Sequence, residues 1–478
     1  MTTTKAAARS AVLLAAILLS VAPAQAAEGV GIDGASLSLI WGIPFVGMLL
    51  SIAVIPLIAG SFWHHHYGKV ALLWALAFLV PFTITFGAGL TTYEVVHAAL
   101  LEYIPFIILL FTLFTISGGI LLTGNLRGSP GVNTTMLAIG TILASIIGTT
   151  GASMVLIRPL LRANDERRHN VHTVIFFIFL VSNIGGSLTP LGDPPLFLGF
   201  LKGVDFFWTT EHLFHDTALI AAILLGVFYL LDRYFYARED KLPEKADPTP
   251  ETERLGLRGL RNLPLIAGVI VAILLSALWK PDIEFNVLGT HLPLPSIARD
   301  VLLLVFAAIS MWITPAFIRE RNGFDWEPIR EVAKLFAAIF LTIIPVIAIL
   351  KAGSEGALNP LVAFVTGDGG EPFNAGYFWM TGLLSGFLDN APTYLVFFNL
   401  AGGDAQTLMD KYALTLEAIS AGAVFMGALT YIGNAPNFMV LAIARSRGVA
   451  MPSFFGYMAW SCVFLLPGFA LLTWLYFL

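Results

Sequence analysis

Apolar residues run along this chain in blocks of twenty or more positions, interrupted by short polar segments, with no sustained alternation of the kind a strand would need. A helix needs about 20 apolar residues to cross the hydrocarbon core of a bilayer. Stretches of that kind lie near 36–60, 70–88, 96–123, 171–200, 213–234, 263–279, 299–317, 331–351 and 453–478. Three further blocks carry a break: 134–162 and 375–400 are interrupted at their centres, and 413–444 contains Gly433-Asn434-Ala435-Pro436. The first two are expected to be helical hairpins that enter and leave on one side, and the third a broken crossing. The pattern predicts an all-α polytopic membrane protein.

The polar segments fix an orientation. The opening residues carry Lys5 and Arg9, then the apolar run 11–22, then A-Q-A at 24–26, so residues 1–27 are expected to be a signal peptide or a first span, with residue 28 on the far side in either case. Threading from there places nineteen Lys and Arg residues on one side, among them Lys69, Arg127, Arg158, Arg162, Arg167, Arg168, Arg319, Arg321 and Arg447. The other side holds five, Lys202, Lys280, Arg299, Lys351 and Lys411; Lys5 and Arg9 complete the 26. Positive charge collects in cytoplasmic loops, so the arginine-rich face is expected to be cytoplasmic and the protein to sit in a bacterial inner membrane. A full crossing at 134–162 or 375–400 would invert every later loop and spoil this asymmetry. The polar run 232–262 is expected to be a cytoplasmic linker between an N-terminal half, 28–231, and a C-terminal half, 263–478.

The two halves share a motif. Residues 186–198 read GSLTPLGDPPLFL and residues 427–439 read GALTYIGNAPNFM, a shift of 241 that places Asp193 opposite Asn434. Each half is expected to run helix, hairpin (134–162 or 375–400), broken helix (171–200 or 413–444) and final helix. With the first hairpin opening inward and the second outward, the halves form inverted repeats, a design that places a binding site at mid-membrane between broken helices. Gly lowers the cost of leaving helical geometry and Pro lacks the N–H that would continue it. Freed backbone groups are tolerated at that depth only against protein or a water-filled cavity.

The runs SNIGGSLTPLGDPPLFLGFLKG (182–203) and SGFLDNAPTYLVFF (385–398) resemble the signature elements of the ion transporter superfamily, which holds arsenite efflux pumps, citrate transporters, divalent-anion/sodium symporters and several sodium/proton antiporters. The resemblance covers about 36 to 478. It implies a scaffold of outer helices around a transport part of hairpins and broken helices, elevator movement, and a homodimer. The hairpin tips, Gly148-Thr149-Thr150-Gly151-Ala152-Ser153 and Leu388-Asp389-Asn390-Ala391-Pro392-Thr393, differ from the Ser-Asn-Thr tips of the anion symporters.

Composition narrows the chemistry. With 12% charged residues and a net charge of −5, no basic patch offers a nucleic-acid footprint, and the single cysteine, Cys462, rules out an intramolecular disulfide and a cysteine metal cluster. Three histidine groups, His64-His65-His66, His169 with His172, and His212 with His215, fall on opposite sides in the threading, so a metal-dependent membrane enzyme is not expected. The GxxxxGK[ST] phosphate loop is absent from the sequence.

Ionised carboxylates inside a membrane usually serve ions or protons, which makes Asp193 and Asp389 candidate ligands for Na⁺ or H⁺. The rival reading of Asp193-Pro194-Pro195 is a helix start with Asp as its cap, and Asn434 admits the same reading. Asn183, Thr189, Asn390, Thr393 and Thr430 are further candidates for ion or substrate binding, or for repairing backbone at the breaks. Thr149, Thr150 and Ser153 stand at the matching tip. Arg158 either extends toward the cytoplasmic surface or supplies a counter-charge. The expected activity is sodium/proton antiport by alternating access, with no cofactor beyond the transported ions. The alternative is Na⁺- or H⁺-coupled transport of a citrate-like anion or an oxyanion such as arsenite.

Overall fold

A computed structural model describes residues 32–124, 126–239, 256–367 and 371–478, and the expected signal segment lies outside them. The described chain is overwhelmingly helical, with two short antiparallel pairs, Leu121–Thr123 against Gly256–Arg258 and Glu284–Val287 against Thr290–Pro293. Among the described residues, seven helices are long and apolar enough to span a membrane, and the bent pair Glu327–Thr342 and Ile344–Lys351 makes an eighth. The protein is a multi-pass membrane protein.

Two of the expected spans, 70–88 and 96–123, belong to one merged helical run, Gly60–Ser117, which turns at Gly87 (φ 86°, ψ 158°) and loosens to a π turn over Ala99–Tyr103. Only Gly enters that dihedral region cheaply, so the chain bends there without a loop. A shift of 241 carries the π turn onto 340–344, where the second half kinks between its own two helices.

Residues Pro130–Ile147 and Thr149–Ala163 form the first hairpin, with Gly148 alone between the helices. Its open end is closed by reciprocal amide bonds, Asn133 Nδ2 to Asn164 Oδ1 and Asn164 Nδ2 to Asn133 Oδ1, both 2.8 Å. A buried cluster clamps that end to the long helix Trp208–Tyr236: Asp232 receives Asn133 (2.9 Å), Arg167 (2.6 Å) and His172 (2.8 Å). Asp232, the first residue of the expected linker 232–262, is thus fully buried inside a helix, and the linker's far end pairs as the strand Gly256–Arg258. The second hairpin, Asn374–Leu388 and Asn390–Leu400, turns at Asp389.

Each broken segment consists of two helices joined by an irregular stretch: Val171–Leu180 with Pro194–Leu201, and Ala413–Phe425 with Ala435–Ser446. Their turns are tight. A Cβ on Gly192 would stand 2.1 Å from the Gly186 carbonyl oxygen, and one on Gly433 would stand 2.5 Å from that of Gly427, so the two repeated glycines answer one steric demand.

Candidate functional site

The four breaks meet at one carboxylate. Asp193, 1% exposed, receives a hydrogen bond from Thr149 Oγ1 at the first hairpin tip (2.8 Å) and another from Asn434 Nδ2 in the second broken segment (2.9 Å), both on Oδ1. Its Oδ2 accepts from Asn390 Nδ2 at the second hairpin tip. Asp193 and Asn434 occupy the cap positions of their helices, yet neither side chain makes a capping bond. Both side chains turn across the break toward one another instead, so capping does not account for the carboxylate.

The hairpin tips share a backbone conformation. Gly148 has φ 81° and ψ 151°; Asp389, displaced by 241, has φ 116° and ψ 139°. The first half meets that geometry with the one residue suited to it, whereas the second half forces an aspartate into it. Such strain clusters at functional sites. The Asp389 carboxylate accepts the amide of Ala391 at 3.1 Å and lines the space beside Asp193.

That space is a cavity of about 80 Å³ between both hairpin tips, both breaks and the outer helices. Asp193 and Asp389 are the only charged side chains among its lining residues. Leu109, Leu113, Phe114, Phe197 and Phe336 supply apolar wall, which lowers the local dielectric and strengthens electrostatic interactions within. The space admits an ion together with several waters. A second cavity of about 430 Å³ shares the wall of Phe114, Phe336, Asp389, Asn434 and Met439 and is lined also by Arg158, His64, Asp325 and Glu331.

The remaining candidates divide by their partners. Asn183 donates to Ile178 O and Asn437 Oδ1 (both 2.8 Å), which leaves its own buried Oδ1 with no donor, as is Asn390 Oδ1. Two buried amide oxygens therefore stand open beside the carboxylates' breaks. Thr189 and Thr430 are used by the backbone: Thr189 Oγ1 donates to Ser145 O and Thr430 Oγ1 to Gly386 O, both 2.5 Å and again related by 241. Each hydroxyl ties a break to the hairpin of its own half. Thr393 bonds Asp389 O (2.7 Å) within its helix, and Ser153 Oγ pairs with Ser182 Oγ (2.9 Å). Thr150 lines the small cavity, and Arg158 lines the large one beside Gly323. Sequence reasoning passed over Asn437, which stands in the repeated motif three positions after Asn434 and bonds Gly427 O and Thr430 O (both 2.9 Å).

Paired broken helices closing on a buried, charged cavity in a polytopic helical protein define a membrane transport protein. The chain belongs to the family described as "Putative citrate transport", whose model matches residues 34–477. An uncharacterized transporter of Mycobacterium bovis is 28% identical over 335 residues, 67% of this chain and 71% of the relative. The 46 kDa membrane protein of Mycobacterium leprae is 26% identical over 327 residues, with the same shares of 67% and 71%.

Proposed function

We propose that the protein is a secondary transporter exchanging Na⁺ for H⁺ across a bacterial inner membrane, with Asp193 and Asp389 as the shared site. The observation that carries this reading is the charge of the inner cavity: among the described residues it is lined by two carboxylates and no cationic side chain. Such a space attracts a cation or a proton and repels a citrate-like anion. Sodium takes several oxygen ligands, and the open Oδ1 of Asn390, a residue lining the cavity, adds an amide oxygen to the carboxylates. A proton and a sodium ion competing for the same carboxylates are coupled by that competition alone, since loading one requires release of the other.

The two halves act as inverted repeats, and the arginine-rich face is cytoplasmic. The hairpins and broken segments move as one part against the scaffold formed by 43–117 and 263–351. In the described conformation the larger cavity leads from the site toward the cytoplasm, so this is the inward-open state. Citrate or arsenite transport remains the competing account, because Arg158 and the helix starts at Pro194 and Ala435 offer positive potential near the cavity. Proteoliposomes with an imposed pH gradient test the two side by side. Proton-driven Na⁺ or Li⁺ flux is expected; gradient-driven citrate or arsenite flux without cation exchange would replace the antiport reading with the anion one.

A further inference from the structure

Among the described residues, one ion pair joins the two parts away from the residues that line the larger cavity. Lys202 terminates the helix Pro194–Leu201 of the first broken segment, and its ammonium binds Glu102 Oε1 on the scaffold. The pair is largely withdrawn from solvent, with side chains 25% and 11% exposed. Glu102 owes its position to the π turn Ala99–Tyr103: one extra residue per turn rotates the helix locally and swings this carboxylate toward the broken segment. His97, Glu94 and Lys351 stand around the pair on scaffold helices. Glu102 and Lys202 are 100 positions apart, and neither takes part in the bonds that build the central site.

We propose that Glu102 and Lys202 are positioning residues that form an ionic latch on the outer side, holding the transport part in the conformation that exposes the site to the arginine-rich face. The inference rests on the two-part movement proposed above. Displacing the broken segment by even one helical turn, about 5.4 Å, separates a contact made at hydrogen-bond distance. The latch must open before the site can face the other side, so its strength sets how the protein divides its time between the two orientations. It binds one state and not the other, which is the requirement for shifting a two-state equilibrium.

The test reads orientation directly, without any transported ion. In a Cys462→Ser background, Met439→Cys places a thiol on the wall shared by both cavities, and its reaction with an impermeant maleimide is timed from each face of oriented vesicles. Removing the pair by Glu102→Gln or by Lys202→Met is expected to lower the ratio of the labelling rate from the arginine-rich face to that from the other face by about fivefold, as loss of a partly buried ion pair of modest strength predicts. The exchanged pair Glu102→Lys/Lys202→Glu restores the attraction and is expected to recover the native ratio; it also covers the case in which a single variant fails to fold. The native ratio in both folded single variants, or a folded exchanged pair that labels like them, would overturn the latch. Altered labelling in a protein that moves no Na⁺ would leave the latch standing and remove the cargo assignment instead, so the two readings fail separately.

Discussion

Asp389 sits at φ 116° and ψ 139°, where a side chain is costly, and its counterpart in the other half is Gly148. Replacing it by the residue the first half uses separates strain from chemistry. Asp389→Gly is expected to leave the melting temperature in detergent unchanged or raised, since relief of such strain is worth about 1–3 kcal/mol, while ion exchange is lost with the carboxylate. A large drop in melting temperature would mean that the carboxylate serves the fold. Thr430 gives the opposite expectation. Thr430→Val removes the bond to Gly386 O in a fully buried setting and leaves that carbonyl unmet, which should cost about 1–3 kcal/mol; thermal unfolding then shifts down, and the ion selectivity of the folded fraction does not change. The residue types alone could not separate these roles. Thr189, Thr430, Asn183 and Asn434 all carry oxygens near a break, but which of them is used up by the backbone depends on partners about 40 to 250 positions away.

At the scale of elements, the breaks were legible because their causes are local. Gly192 and Gly433 mark close backbone approach, and Pro194 and Pro436 mark helix starts, so a shift of 241 in the sequence carries over to bonds related by the same shift in space. The bend at Gly87 was less legible, since a single glycine in an apolar run reads as readily as part of a straight helix. Equally hidden was the burial of Asp232, whose partners Asn133, Arg167 and His172 come from three other segments. The hairpins make the orientation testable: Cys at Arg321 or Arg238 should react with an impermeant thiol reagent only from the cytoplasm, and Cys at Lys411 only from outside. Cytoplasmic labelling at Lys411 would turn the second hairpin into a crossing and remove the inverted arrangement.

For the molecule as a whole, the account requires that one part carry the site past another. Arg158 on the first hairpin and Asp325 on the scaffold both line the larger cavity. Bridging cysteines at these two positions with a short bismaleimide should stop exchange, and cleavable linkers should restore it on reduction. Full activity of verified bridged protein would show that the site empties without relative movement. The chemical core of the proposal lies in the two carboxylates, and its most direct test is pH-driven Na⁺ exchange by Asp193→Asn/Asp389→Asn in proteoliposomes. Asn keeps the size and much of the hydrogen bonding of Asp while removing the titratable charge. The account predicts a folded protein whose exchange has fallen to background and whose residual Na⁺ binding no longer depends on pH; exchange at the native rate in that double variant would contradict it.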